Sequence, residues 1–184
     1  MKKLYLRMAV GMALLVLAGC STAPRSQSDR TMLQKEANLT IEKFKAADPD
    51  LEKFFTNALA YAVFPDICKG GLLLGGAYGR GIMYETGTNG PVPTGYVDTT
   101  HATIGLQLGG QDLREIIFLN TPQEVASFKH GKMEFSAAAS AVAGEQGASQ
   151  NVDYSKNVAV FTLGETGLML ESALGGQKFS FHPL

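Results

Sequence analysis

The chain has 184 residues, with 16 basic and 17 acidic side chains and a formal net charge of −1. That balance excludes the broad basic footprint of a nucleic-acid binder, and it argues against a membrane contact that is electrostatic alone. Two cysteines and no tryptophan make neither a disulfide scaffold nor a base-stacking platform.

Residues 1–19 read as a secretory signal peptide. Met1-Lys2-Lys3 and Arg7 lead into the apolar run 8–18, too short for the ~20 residues of a membrane span. The run closes on Leu17-Ala18-Gly19-Cys20, the bacterial lipobox pattern. In lipoproteins of that pattern the cysteine is acylated, with palmitate among the chains, and becomes the new N-terminus. One acyl chain holds a protein only reversibly, so stable anchoring takes more than one. The expected location is the bacterial envelope, and Ser21 after the cysteine favours the outer membrane, facing the periplasm. Loss of residues 1–19 removes three basic side chains and leaves a net charge of −4 on a length that suits one domain. The expected division is signal peptide 1–19, lipidated tether 20–30 and a single domain 31–184.

Two helices come first. Leu33, Ala37, Ile41 and Phe44 recur at steps of four, four and three, an amphipathic stripe, with Lys35, Glu36, Glu42, Lys43 and Lys45 on the other face. The second helix opens with Asp48 as N-cap and Pro49 at its first position. Its stripe is Leu51, Phe54, Phe55, Ala58, Leu59 and Ala62, and Pro65 is expected to stop it. From Gly70 onward glycines become dense and segments short and apolar. Strands are expected over 72–78, 80–85, 95–98, 102–108, 113–119, 134–142, 157–163, 167–172 and 177–181. Asn89-Gly90-Pro91 reads as a turn and 164–167 as a hairpin loop. One more helix interrupts the strands. Thr121-Pro122-Gln123-Glu124 is a capping box, Val125 and Phe128 face inward, and Gly131 ends it. Ala62-Val63-Phe64 and Ala159-Val160-Phe161, each followed by a glycine-leucine run, form a faint internal echo.

No catalytic constellation emerges. The glycine cluster 70–81 lacks the Lys-Ser or Lys-Thr and the following helix of a phosphate loop, and it suits bending, close-packed strands. His101 lies in a Thr-Thr-His loop, His130 at a helix end and His182 in the C-terminal tail, none at metal-ligand spacing. Ser127 and Ser140 have no elbow motif, and Asp48/Asp50 and Asp112/Glu115 read as caps and solvated turns. With Cys20 used by lipid, Cys68 reads as a small buried hydrophobe. The chain is therefore expected not to be an enzyme, and to use no cofactor and no metal.

The string Ala62-Val63-Phe64-Pro65-Asp66-Ile67-Cys68-Lys69-Gly70-Gly71, followed by Gly75-Gly76-Ala77-Tyr78-Gly79-Arg80-Gly81, resembles the SYLF domain family, also called the Ysc84 family. Gly105-Leu106-Gln107-Leu108-Gly109-Gly110-Gln111 is similar to that family's Gly-x-Gln-x-Gly segment. The end of the chain, Val158–Phe161 to Gly167-Leu168-Met169 and Gly176-Gln177-Lys178-Phe179, resembles its bacterial branch. The likeness covers roughly 31–182. Glu134-Phe135-Ser136 departs from the Gly-x-Asp of many relatives, so no role is carried over for that aspartate.

The resemblance implies a lipid-binding module. Eukaryotic relatives bind phosphoinositides, partly through an amphipathic N-terminal helix, and some bind actin. Affinity for an anionic phospholipid headgroup is what it implies here. Lys69 matches the motif lysine, Arg80 lies in the matching glycine segment, and Lys35, Lys43 and Lys45 match the amphipathic region.

The expected fold is α+β: one domain with an antiparallel sheet system, barrel- or sandwich-like, packed with about three helices. The expected role is a lipid-anchored, non-enzymatic envelope protein that binds membrane phospholipid. The alternative is a structural or protein-interaction lipoprotein docking an envelope partner.

Overall fold

The computed structural model describes Pro24 and residues 26–70, 74–104, 112–133, 157–164, 167–171 and 177–184. Cys20, the segment 105–111 and the expected strand 134–142 lie outside the described residues.

Helix α1 spans Gln27–Ala47. It starts earlier than the expected tether 20–30 allows, because Ser26 and Asp29 form a reciprocal capping box. Ser26 Oγ accepts the Asp29 N–H at 3.1 Å, satisfying one of the orphan donors of the first turn. Ala37 and Phe44 of the expected stripe are buried, and Leu33 and Ile41 pack against the same core. Asp48 caps the next turn as expected, accepting the Asp50 N–H at 3.0 Å ahead of the 3₁₀ turn Pro49–Leu51 and helix α2, Glu52–Asn57.

The second helix is shorter than its apolar stripe suggested. Strand β1 runs Ala60–Gly70, so Ala62 belongs to a strand and Pro65 does not end a helix but sits inside the strand. The sequence is ambiguous there, since Ala60 to Phe64 is apolar at every position and fits either period. Sheet pairing on both sides decides it. Pro65 falls where the register shifts, between Val63 and Asp66 toward one neighbour and between Phe64 and Ile67 toward the other. A bulge is where a residue without an N–H is tolerated in a central strand.

Strand β2 is Leu74–Gly87 and β3 is Gly90–Ile104. Each is one continuous strand where two short ones were expected. Gly79 and Gly81 do not break β2. They let it lie close over the β1 bulge, where a Cβ on Gly81 would stand 2.3 Å from the Val63 carbonyl oxygen and 2.8 Å from Phe64 Cδ1. The turn between β2 and β3 is the expected one, with Gly90 at φ +103°. Strand β4 is Asp112–Leu119 and helix α3 is Pro122–Lys129, its Thr121 cap accepting the Glu124 N–H at 3.2 Å. Strands β5 (Val158–Gly164), β6 (Gly167–Glu171) and β7 (Gln177–Pro183) follow.

All seven strands form a single antiparallel sheet in the order β6-β5-β4-β1-β2-β3-β7. The α+β class and the single domain are as expected. A second stacked sheet and a closing β6–β7 pair are both absent among the described residues, whose strands form an open sheet covered by helices and not the expected barrel- or sandwich-like system. Alternation along the strands sorts the core into two faces. Tyr61, Val63, Ile82, Tyr84, Ile116, Phe118 and Phe161 face α1 and α2, where Phe54, Phe55 and Phe118 meet with ring centroids 4.9 and 5.4 Å apart. Ala62, Phe64, Met83, Ile117, Leu119, Val160 and Phe179 face the other way, onto Phe128 of α3. Each fully buried phenylalanine contributes on the order of 2–3 kcal/mol of transfer free energy. Phe64 on β1 lies 6.2 Å from Phe179 on β7, ring to ring, although β2 and β3 run between them. Three inter-strand steps of ~4.8 Å would separate them on a flat surface, so the sheet curls toward α3.

Candidate functional site

At the end of the sheet beside the start of α1, strands β2, β3 and β7 carry a polar cluster on the helix-facing side. Alternation puts Tyr78, Arg80 and Ile82 on that side of β2, Tyr96 and Asp98 on β3, and Lys178, Ser180 and His182 on β7. Register aligns Arg80 with Asp98 and Asp98 with Ser180 across the three strands. Helix α1 reaches as far as Tyr96, where the Arg30 guanidinium lies 5.6 Å from the ring centroid. Beyond that point Arg80, Thr100, Lys178 and Ser180 are all exposed.

Asp98 is the centre of the cluster, with 4% of its surface exposed. Tyr78 Oη donates to its Oδ1 at 2.9 Å, and His182 Nε2 lies 3.1 Å from its Oδ2. Burial raises the Asp98 carboxyl above its ordinary range. The bonds from Tyr78 and His182 and the charges of His182 and Arg80 oppose that rise without cancelling it. His182 is therefore not in a tail. It sits in β7, opposite Tyr96, with 37% of its side chain exposed. Neither Arg80 nor Lys178 is in an ion pair among the described residues. Arg80 lies opposite this buried carboxylate in the β2–β3 register, with exposed Asp66 opposite Arg80 on β1, while Lys178 pairs with Thr100 and Arg30 lies over Tyr96 on the same face.

The expected headgroup residues are not gathered in one place. Arg80 belongs to this cluster. Lys69 is the last residue but one of β1, paired with Ala77, and its side chain lies outside the described residues. Lys35 and Lys43 are exposed along α1, on the same outward stripe as Met32 (62% exposed) and Leu39 (52%). A shallow cavity of about 380 Å³ runs beside that stripe, lined by Thr31, Gln34, Lys35, Asn38, Leu39 and Glu42. Lys45 is otherwise engaged, 2.8 Å from Glu52 and 4.9 Å over the Phe55 ring. Cys20 lies outside the described residues.

Three further expectations change. Cys68 is exposed rather than buried, with Sγ 3.4 Å from Asp66 Oδ2. Glu115 is buried in β4, not in a solvated turn. His101 lies in β3, not in a loop. Reading from sequence missed Asp98, Tyr78, His182, Arg30 and Lys178 as a group. One signal was available: Lys178, Ser180 and His182 alternate with Phe179 and Phe181, the period of a half-buried strand running past residue 181. Among the described residues no three His, Cys, Asp or Glu side chains are grouped to hold a metal ion, and no helix is long and apolar enough to cross a membrane.

Residues 100–182 match the Ysc84 family, described as "Las17-binding protein actin regulator". A protein named Beta cell expansion factor A, from Aeromonas veronii, is 24% identical over 150 residues, covering 82% of this chain and 56% of that protein. The chain therefore spans a little over half the length of that relative. The two matches support a SYLF-type protein.

Proposed function

We propose that the protein is a non-enzymatic, lipid-anchored envelope protein whose SYLF-type domain binds an anionic phospholipid, through a phosphoinositide-type or other phosphate-bearing headgroup. The observation that carries this reading is the cluster of Arg80, Lys178 and Arg30, which lies beside the start of α1. Ser26, the cap of α1, is only six residues from Cys20. Six residues span at most ~20 Å, so a chain acylated at Cys20 carries this end of the sheet close to the bilayer. The outward stripe of α1, with Met32 and Leu39 between Lys35 and Lys43, supplies apolar side chains and positive charge together, as an interfacial helix requires.

Co-sedimentation tests it, using residues 20–184 with Cys20→Ser so that no acyl chain contributes. Binding to vesicles rich in phosphatidylglycerol or phosphoinositide, weaker on neutral vesicles and in high salt, is the expected result. Arg80→Gln with Lys178→Gln should reduce it several-fold, as for the loss of two exposed charge contacts. Absence of binding to every vesicle would leave the acyl chain as the membrane contact and transfer the function to a protein partner. The exposed Met32 and Leu39 favour that second reading. Phe54 and Phe55 give it no support, because both are buried.

A further inference from the structure

The outward face of α1 carries the spacing that pairs one helix with another. Ser28, Met32, Lys35, Leu39, Glu42 and Ala46 recur at steps of four, three, four, three and four, the repeat of a two-helix seam. All six are exposed, on the side away from buried Ala37, Thr40 and Phe44. Met32 and Leu39 thus leave two large apolar side chains in water, 62% and 52% exposed. The shallow cavity of about 380 Å³ runs along this seam, lined by Thr31, Gln34, Lys35, Asn38, Leu39 and Glu42.

The seam carries charges of both signs. Lys35 and Glu42 lie seven residues apart, which is two turns and ~10 Å along the axis. Neither is in an ion pair among the described residues. An anionic surface attracts Lys35 and repels Glu42, whereas a second copy of the same helix answers both. Laid antiparallel about a two-fold axis beside Asn38, the second copy sets its Glu42 against Lys35 and its Lys35 against Glu42. A parallel alignment sets like charges against each other, which is unfavourable. In the antiparallel pair each Leu39 lies over the other copy's cavity. Asn38 is tied to the sheet, its Oδ1 accepting the Tyr84 hydroxyl at 3.3 Å. It stands beside the axis, where a polar side chain on a helix seam sets register.

We infer that the outward face of α1 is a self-association surface that takes a second copy of this chain, antiparallel, with two Lys35–Glu42 pairs closing around the two Leu39 side chains. The interface is isologous, so it closes at two copies. The inference goes beyond the lipid-binding reading and does not rest on it. The two meet at one point. A bilayer and a second copy cannot both cover Met32 and Leu39, so pairing keeps the stripe covered where no membrane reaches it.

Size sets the strength of the pair. The 21 residues of α1 make a helix ~31 Å long. A single helix pair of that length lies at or below the ~1,200 Å² lower bound of stable interfaces, so the association is reversible, with a Kd on the order of tens of micromolar.

The test is sedimentation velocity of residues 20–184 with Cys20→Ser, which retain every described element. No lipid is present, and the buffer is reducing so that exposed Cys68 cannot join copies. Over a concentration range that brackets the expected Kd, the protein should pass reversibly from monomer to dimer. Lys35→Glu alone, or Glu42→Lys alone, makes both pairs repulsive and should weaken association about tenfold. Mixing the two variants should restore it, because each then meets the opposite charge at both places. A folding defect cannot produce that recovery. Leu39→Asp should weaken association, alone and in the mixture.

A chain that stays monomeric throughout, a dimer indifferent to both charge reversals, or variants that do not recover on mixing overturn the inference. Monomers that still bind phosphatidylglycerol vesicles assign the face to the bilayer and leave the lipid-binding reading standing. A charge-dependent dimer that ignores every vesicle supports this inference and overturns that reading.

Discussion

Asp98 shows how a single residue links stability to pH. Its carboxyl is raised above the ordinary 3.8 because burial outweighs the help of Tyr78, His182 and Arg80. A raised carboxyl stabilises the folded state by taking up a proton. Its contribution is complete below the ordinary value and is lost as pH rises through the folded one. The unfolding free energy of the wild type relative to Asp98→Asn should therefore fall as pH is raised from near 4 toward neutrality, and then level off. Urea denaturation of both proteins across that range measures it, and a difference that grows with pH would contradict the assignment. The tyrosines on the same face behave alike at the other end of the scale. Burial pushes Tyr84 up to about 12 and raises Tyr61 too, so their share of stability is held through neutral pH and lost only in strong alkali.

At the scale of elements, local chemistry decides where segments start and pairing decides where they end. The caps at Asp48 and Thr121 were readable because a short polar side chain before a helix has one local job, to accept an N–H two or three residues on. Ser26 does the same for α1, and only the expectation of a tether across 20–30 hid it. Replacing Ser26 by alanine should cost ~1 kcal/mol in chemical denaturation. It should also fray α1 over residues 27–30, seen as faster amide exchange there, while residues 40–47 keep their protection. Strand β1 was not readable in the same way. Its first five residues are apolar without a break, and only the pairings Tyr61–Tyr84 and Tyr61–Phe118 settle them as strand. The echo between Ala62-Val63-Phe64 and Ala159-Val160-Phe161 has a similar lesson. The two stretches flank β4, yet Val63 points toward the helices and Val160 toward α3. Like sequences here serve opposite faces, so the echo is no repeat. The candidate site was legible only at Arg80, since its other members come from three elements that are distant in sequence and are joined by β3–β7 pairing.

For the molecule as a whole, the curled sheet and its two helical covers leave Arg80 and Lys178 exposed, and Arg30 over Tyr96, on the face of β2, β3 and β7 that carries the buried Asp98. The outward side of α1 continues from that end, and under the proposed function these two surfaces meet the membrane together. Mapping the contact on the folded domain tests this most directly. Isotope-labelled residues 20–184 with Cys20→Ser would be titrated with phosphatidylglycerol nanodiscs, and the amide and side-chain NMR signals that broaden or shift would be recorded. The account predicts that Arg30, Arg80, Lys178 and His182 respond first, together with Met32, Lys35, Leu39 and Lys43, and that α3 is unaffected. Perturbations confined to α3 or to the β5–β6 end of the sheet, or none at all, would contradict it.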